Sequence, residues 1–222
     1  MAEATVVRTE ATAVRGDGAR LRRTTTLATV AALAAAVTVG CSASSAAGPA
    51  AHDGRHGAVT RTVPVAAIAP SVPDRIAVPG IEVDAAVASV GLDGKGEMET
   101  PPMDRPMEAS WYRQGPTPGE RGAAVIVGHM DTPETEKAVF HDLKDLRKRD
   151  EIKVHRRDGA TAVFAVDSVE TFKKDSFPTD KVYNRTDKAE LHLITCGGSL
   201  TPNRHWDSNV VVFAHLTGEV KA

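Results

Sequence analysis

Aromatic side chains are scarce, and the nine present are unevenly placed. All five Phe, two Trp and two Tyr of this 222-residue chain lie after residue 110. A segment without large side chains buries little, so one core-forming domain is expected in the C-terminal two-thirds. Charge of one sign is not in excess either. Against 29 Asp and Glu stand 27 Lys and Arg, a net charge of −2, which argues against the basic face of a nucleic-acid binder. Cysteine is rarer still, with one at position 41 and one at 196. A domain holding a single cysteine cannot form an internal disulfide, and a leftover thiol in an exported protein is a candidate reactive group. Downstream of residue 72 there is no Cys-x-x-Cys or His-x-x-x-His pair, which argues against a metal site, and no Ca²⁺-binding loop pattern is visible.

No apolar run reaches the roughly 20 residues that a spanning helix normally needs. The most apolar stretch, within TTTLATVAALAAAVTVGC, has 14 residues from Leu27 to Gly40 and follows Arg20, Arg22 and Arg23. A positive flank, a short apolar stretch and small residues beyond it are the layout of a secretory signal or signal anchor. Residues 1–41 are therefore expected to be a cytoplasmic tail with a signal or membrane-anchor segment, the remainder being exported. Cys41 partly fits a lipoprotein cleavage site, although Thr38 stands where an aliphatic residue is usual. Residues 42–72 are rich in Ala, Ser, Gly, Pro and His without amphipathic period, and read as a flexible linker. The folded domain is then 73–222.

Within it, short strand-like runs alternate with turn signals. RIAVP, VDAAVASVGL, AAVIVGHM, EIKVHR, TAVFAVDSVETF, ELHLITC and NVVVFAHLTGEV read as strands. Asp158-Gly159 between the fourth and fifth is a hairpin signal. PPMDRP and WYRQGPTPGERG read as irregular loops. EKAVFHDLKDL, residues 136–146, carries Val139, Leu143 and Leu146 at helical spacing and predicts one short helix. Seven or eight strands of mostly hairpin-like spacing, without alternating helices, predict a mostly β fold, a closed barrel or a sandwich.

Two apolar strands end on a chemically capable residue: His129 after VIVG and Cys196 after HLIT. Thiol chemistry needs the thiolate, and an ordinary cysteine is mostly protonated at neutral pH. An imidazole can accept that proton and later return one to a leaving amine, while a third group polarises the acyl oxygen. Arg204, His205 and Asn209, in NRHWDSN, are candidates for that third role. Gly197 and Gly198 would let a substrate backbone approach the sulfur. The other reading is that Cys196 is an inert small hydrophobe. His141, His155, His192 and His215 read as structural hydrogen-bonding residues.

The order VIVGHMDT, LITCGG, NVVVFAHL resembles the sortase family, in particular its class F, actinobacterial type. Ile194, Thr195 and Cys196 match the cysteine motif, and Gly128 and His129 match the histidine motif. The resemblance runs from about Arg75 to Leu216 and takes in VPGIEVDAAV, WYRQGPTPGERG, FHDLKDLRKRDEIKVHRRDG and FPTDKVYN. It implies an eight-stranded β-barrel. It further implies a cysteine transpeptidase that cleaves the Thr–Gly bond of a Leu-Pro-x-Thr-Gly-type sorting signal and passes the acyl group to a cell-wall precursor amine. Cys196 would be the nucleophile and His129 the acid and base, with no metal or organic cofactor. The enzyme would be a monomer tethered at the outer face of a Gram-positive membrane. The family's third catalytic residue, an arginine near the start of the following strand, has no direct match. Asn209 holds the nearest place and Arg204 lies five residues earlier, so the role falls to Arg204 with Asn209 as rival. The alternatives are another exported Cys/His acyl transferase of L,D-transpeptidase type, or a non-catalytic envelope binding module.

Overall fold

The computed structural model of the chain describes residues 65–183 and 186–221. The expected cytoplasmic tail, signal or anchor segment, Cys41 and the linker up to residue 64 lie outside the described residues.

Eight strands close into one barrel. In chain order they are β1 (Pro73–Val78), β2 (Val83–Val90), β3 (Ala109–Tyr112), β4 (Gly122–Val127), β5 (Glu151–Arg156), β6 (Thr161–Lys173), β7 (Ala189–Leu200) and β8 (Trp206–Val220). A single turn of α-helix, α1 (Thr179–Tyr183), lies between β6 and β7, and three 3₁₀ turns complete the regular structure of the described residues. Around the barrel the order is β1-β2-β3-β4-β7-β8-β6-β5. Closure leaves no free sheet edge. Most neighbours are antiparallel, but β2–β3 and β4–β7 are parallel, so those two contacts depend on crossing connections rather than hairpins.

The alternation along each strand divides the apolar residues between two clusters. Ala124, Ile126, Leu191, Leu193, Val210 and Val212 point into the barrel with Ile76, Ile152 and Phe164. Val125, Val127, Ile194 and Val211 form a second cluster on the outer face. There they are covered by the β6–β7 connection, through Val182 of α1 with Phe177 and Tyr183 packed alongside. Every residue of β4 is buried, which is why its sequence is continuously apolar instead of alternating. Each fully buried Val, Leu, Ile or Phe contributes about 1.5–3 kcal/mol of transfer free energy, so both clusters weigh heavily in stability.

The structure corrects two local expectations. Residues 136–146 are not a helix: they form turns ending in a 3₁₀ turn at Leu143–Asp145. Val139, Phe140, Leu143 and Leu146 are buried as their spacing requires, but the backbone bonds run elsewhere. The N–H groups of Ala138, Val139 and Phe140 donate to the carbonyls of Met130, Pro106 and His129, so tertiary pairing replaces the helical ladder. Secondly, WYRQGPTPGERG is not wholly irregular, because β3 ends in its first two residues.

At the N-terminal border the chain is already held at residue 68. The Ile68 N–H donates to the Gly119 carbonyl at 2.9 Å, and Ile68 and Val72 pack on the core. The buried Arg156 donates to the carbonyls of Ala69 (2.5 Å) and Pro118 (2.8 Å) and pairs with Asp158 at 2.6 Å.

Candidate active site

The parallel pairing of β4 with β7 brings the two strand ends to the same level. Register runs from Gly122 opposite Ala189 to Val127 opposite Ile194. Two further bonds carry it past the end of β4. The Gly128 N–H donates to the Ile194 carbonyl at 3.1 Å, and the Thr195 hydroxyl donates to the Gly128 carbonyl at 2.8 Å. Neighbouring strands lie about 4.8 Å apart, and side chains repeat every two residues. His129 and Cys196 therefore follow Val127 and Ile194 onto the outer face, side by side at the rim of the second cluster. Both line the same two adjoining cavities, an outer one of about 440 Å³ and an inner one of about 90 Å³.

Gly128 allows the cover over this corner. A Cβ there would come within 2.7 Å of the Phe140 and Val139 side chains, so a larger residue would force the 136–146 segment away. That segment in turn holds the His129 backbone through the Phe140 N–H, at 2.9 Å. The His129 imidazole bonds the Pro101 carbonyl through Nε2 at 2.9 Å. A carbonyl only accepts, so Nε2 carries the proton and Nδ1 is the nitrogen left to exchange one.

Cys196 is the one free cysteine of the described residues and is half-buried. Burial pushes its thiol up from the ordinary value, and the nearby Asp131 carboxylate adds to this. The opposing influence is Lys174, whose Nζ lies 3.7 Å from Sγ. Lys174 follows β6 and was not among the residues singled out from the sequence. The only signal for it is alternation at the strand end. Lys173 and Lys174 diverge, Lys173 pairing with Asp207 at 2.5 Å and Lys174 turning to the thiol.

The two candidates for the third role line different cavities beside the cysteine. Asn209 is buried, lies directly across from Cys196 in the β7–β8 register, and lines the inner cavity. Arg204 is exposed in the β7–β8 turn with φ of 60°, and lines the outer cavity with Cys196 and His129. The Trp206 indole N–H donates to both carboxylate oxygens of Asp131 at 3.0 and 3.1 Å, fastening that turn to the chain just past His129. His205 also lines the outer cavity.

Gly198 serves the fold at this corner. Its φ is 85°, and a Cβ would collide with Asp207 and Ser208, where the β7–β8 register shifts. The four other histidines read as structural are each hydrogen-bonded: His141 to the Met130 carbonyl, His155 to Thr161, His192 to the Val182 carbonyl and His215 to Asp167. Among the described residues no cluster of three or more His, Cys, Asp or Glu is placed to hold a metal ion.

Comparison with known proteins agrees with this architecture. Residues 76–217 match the family model described as the sortase domain. Among solved structures, sortase A of Listeria monocytogenes superposes with a TM-score of 0.52 at 21% identity, covering 68% of this chain and 91% of that one. Sortase A of Corynebacterium diphtheriae gives 0.53 at 19%, covering 68% and 62%. Sortase C of Streptococcus pneumoniae gives 0.50 at 19%, covering 65% of each chain. At such identities these likenesses speak for the barrel alone. A search of curated proteins finds no match. The domain match covers well over half of the sequence and contains both paired strand ends, and by it the chain belongs to the sortase family.

Proposed function

We propose that the protein is a cysteine transpeptidase that cleaves the Thr–Gly bond of a Leu-Pro-x-Thr-Gly-type sorting signal and transfers the acyl group to a cell-wall precursor amine. The observation that carries this is the placing of His129 and Cys196 at paired ends of β4 and β7, opening on shared cavities. Sγ attacks the Thr carbonyl carbon, forming a C–S bond as the C–N bond breaks. His129 donates the proton that the departing glycine amine needs. An incoming amine then attacks the thioacyl carbon, loses a proton to His129, and releases Sγ. Arg204 lies on the outer side of the site and is the group we assign to the acyl oxygen, with Asn209 the rival.

In this reading the chain is of the class F, actinobacterial type and works as a monomer tethered at the outer face of the membrane. The direct test is to incubate the purified protein with a fluorogenic Leu-Pro-x-Thr-Gly peptide, with and without an amine acceptor. Transpeptidation product that increases with acceptor supports the proposal. Intact peptide alongside an unmodified thiol would favour a binding module.

A further inference from the structure

Lys174 is the cation at the sulfur. Its Nζ is 3.7 Å from Sγ, and it lines both cavities that Cys196 and His129 share. Strand β8, which runs beside the thiol, contributes no Lys or Arg anywhere between Trp206 and Val220. Arg204 belongs to the turn and reaches only the outer cavity. We infer that Lys174 is a catalytic residue, the ammonium group that stabilises the Cys196 thiolate in the attacking state. This rests on the reading of Cys196 as a nucleophile.

The physical case begins with the surroundings of the thiol. A half-buried sulfur loses hydration when it ionises, which disfavours the thiolate. The other titratable groups lining the two cavities are His129, Asp131, Arg204, His205, Glu99 and Tyr183. Asp131 opposes ionisation of Cys196. Lys174 takes no part in the proton transfer of this step: the thiol proton goes to His129, and the electron pair gained by the substrate oxygen returns when the C–N bond breaks. Lys174 therefore acts by charge alone, and it acts before any substrate arrives.

Its position is set by the backbone. Phe172 at the end of β6 packs edge-on against Phe177 and Phe213, which holds the strand exit against β8. The 3₁₀ turn Lys174–Ser176 follows immediately. Lys173, its neighbour, is bound to Asp207 instead. The two lysines thus provide a built-in control, equal in charge and adjacent in sequence but different in contact.

The test is the pH profile of Cys196 alkylation by iodoacetamide, a neutral reagent, on the full chain. Lys174→Met should move the midpoint up by about one to three pH units, the usual influence of an opposite charge at this range, and slow alkylation at pH 7 at least tenfold. Lys174→Arg should restore most of the lowering, and Lys173→Met should leave the midpoint where it is. Lys174→Gln, with unfolding followed by circular dichroism, guards against a Met variant that fails to fold. An unchanged midpoint in folded Lys174→Met or Lys174→Gln overturns the inference, as does an equal shift in Lys173→Met. Alkylation needs no peptide, so a protein without transpeptidase activity that still shows the shift would refute the proposed reaction and leave the Lys174 assignment standing.

Discussion

The Thr195 hydroxyl donates to the Gly128 carbonyl at 2.8 Å, joining the residue before Cys196 to the residue before His129. This bond, made where β4 has ended and β7 continues, ties together the two chain segments that carry the groups of the proposed reaction. Thr195→Val keeps the shape and removes the donor. It should cost about 1–2 kcal/mol of stability, because a buried carbonyl is left with one partner fewer. Thr195→Ser should retain most of that stability. Thermal unfolding with single-turnover acylation checks both, and Thr195→Val should also acylate about tenfold more slowly through loss of alignment.

His129→Ala should remove transpeptidation, since neither the departing nor the incoming amine then has a proton partner. The loss should be at least 10²-fold, the usual size of a positioned acid or base. Stability should fall less, because the ring's hydrogen bond is to one loop carbonyl, that of Pro101. Activity retained in His129→Ala but lost in His205→Ala would move the role to the β7–β8 turn.

Arg204→Ala should slow acylation by about 10²- to 10³-fold, the cost of one oxyanion donor, while leaving the alkylation midpoint of Cys196 unchanged. Asn209→Ala should be mild and act through strand packing. Rapid-quench kinetics on both variants decides between them: a large loss in Asn209→Ala with little in Arg204→Ala would give the oxygen to the amide on β8.

Legibility of these features in the sequence followed the range of the interactions behind them. Strands β5 and β6 and the Asp158-Gly159 turn between them were legible, because period-two alternation and turn chemistry are local. Strand β4 was legible as apolar, but nothing local reveals that its partner β7 is parallel and separated from it by two further strands. Val139, Leu143 and Leu146 pointed correctly to burial and wrongly to a helix. Apolar spacing reports which side is covered, and the hydrogen bonds of that segment go to Met130, Pro106 and His129. His129 and Cys196 were legible as strand-end residues. Lys174 was not, since a lysine in KKDS reads as solvated and its contact with Sγ is purely tertiary.

Acid sensitivity should be visible at the N-terminal border. Arg156 holds the carboxyl of Asp158 down to about 2, below the ordinary carboxylate value, chiefly by hydrogen bonding. A depressed folded value means that the stabilisation is complete above about pH 4, the unfolded value, and is lost as pH falls through about 2. Asp158→Asn should therefore melt below the parent by a constant interval above about pH 4. That interval should narrow as pH falls from about 4 and close only below about pH 2. Melting curves across this range check it, and an interval that widened on acidification would contradict the assignment.

The central claim is that Cys196 carries the acyl group. Rapid quenching of the protein with a Leu-Pro-x-Thr-Gly peptide, followed by intact-mass measurement and peptide mapping, reads this directly. The account predicts a thioester adduct, the peptide up to Thr without its glycine end, located on Cys196 and discharged by an added amine. Cys196→Ala should give neither adduct nor turnover above about 1% of the parent, since losing covalent catalysis raises the barrier by several kcal/mol. Peptide cleavage by Cys196→Ala at an appreciable rate, or an adduct mapping to any other residue, would contradict it.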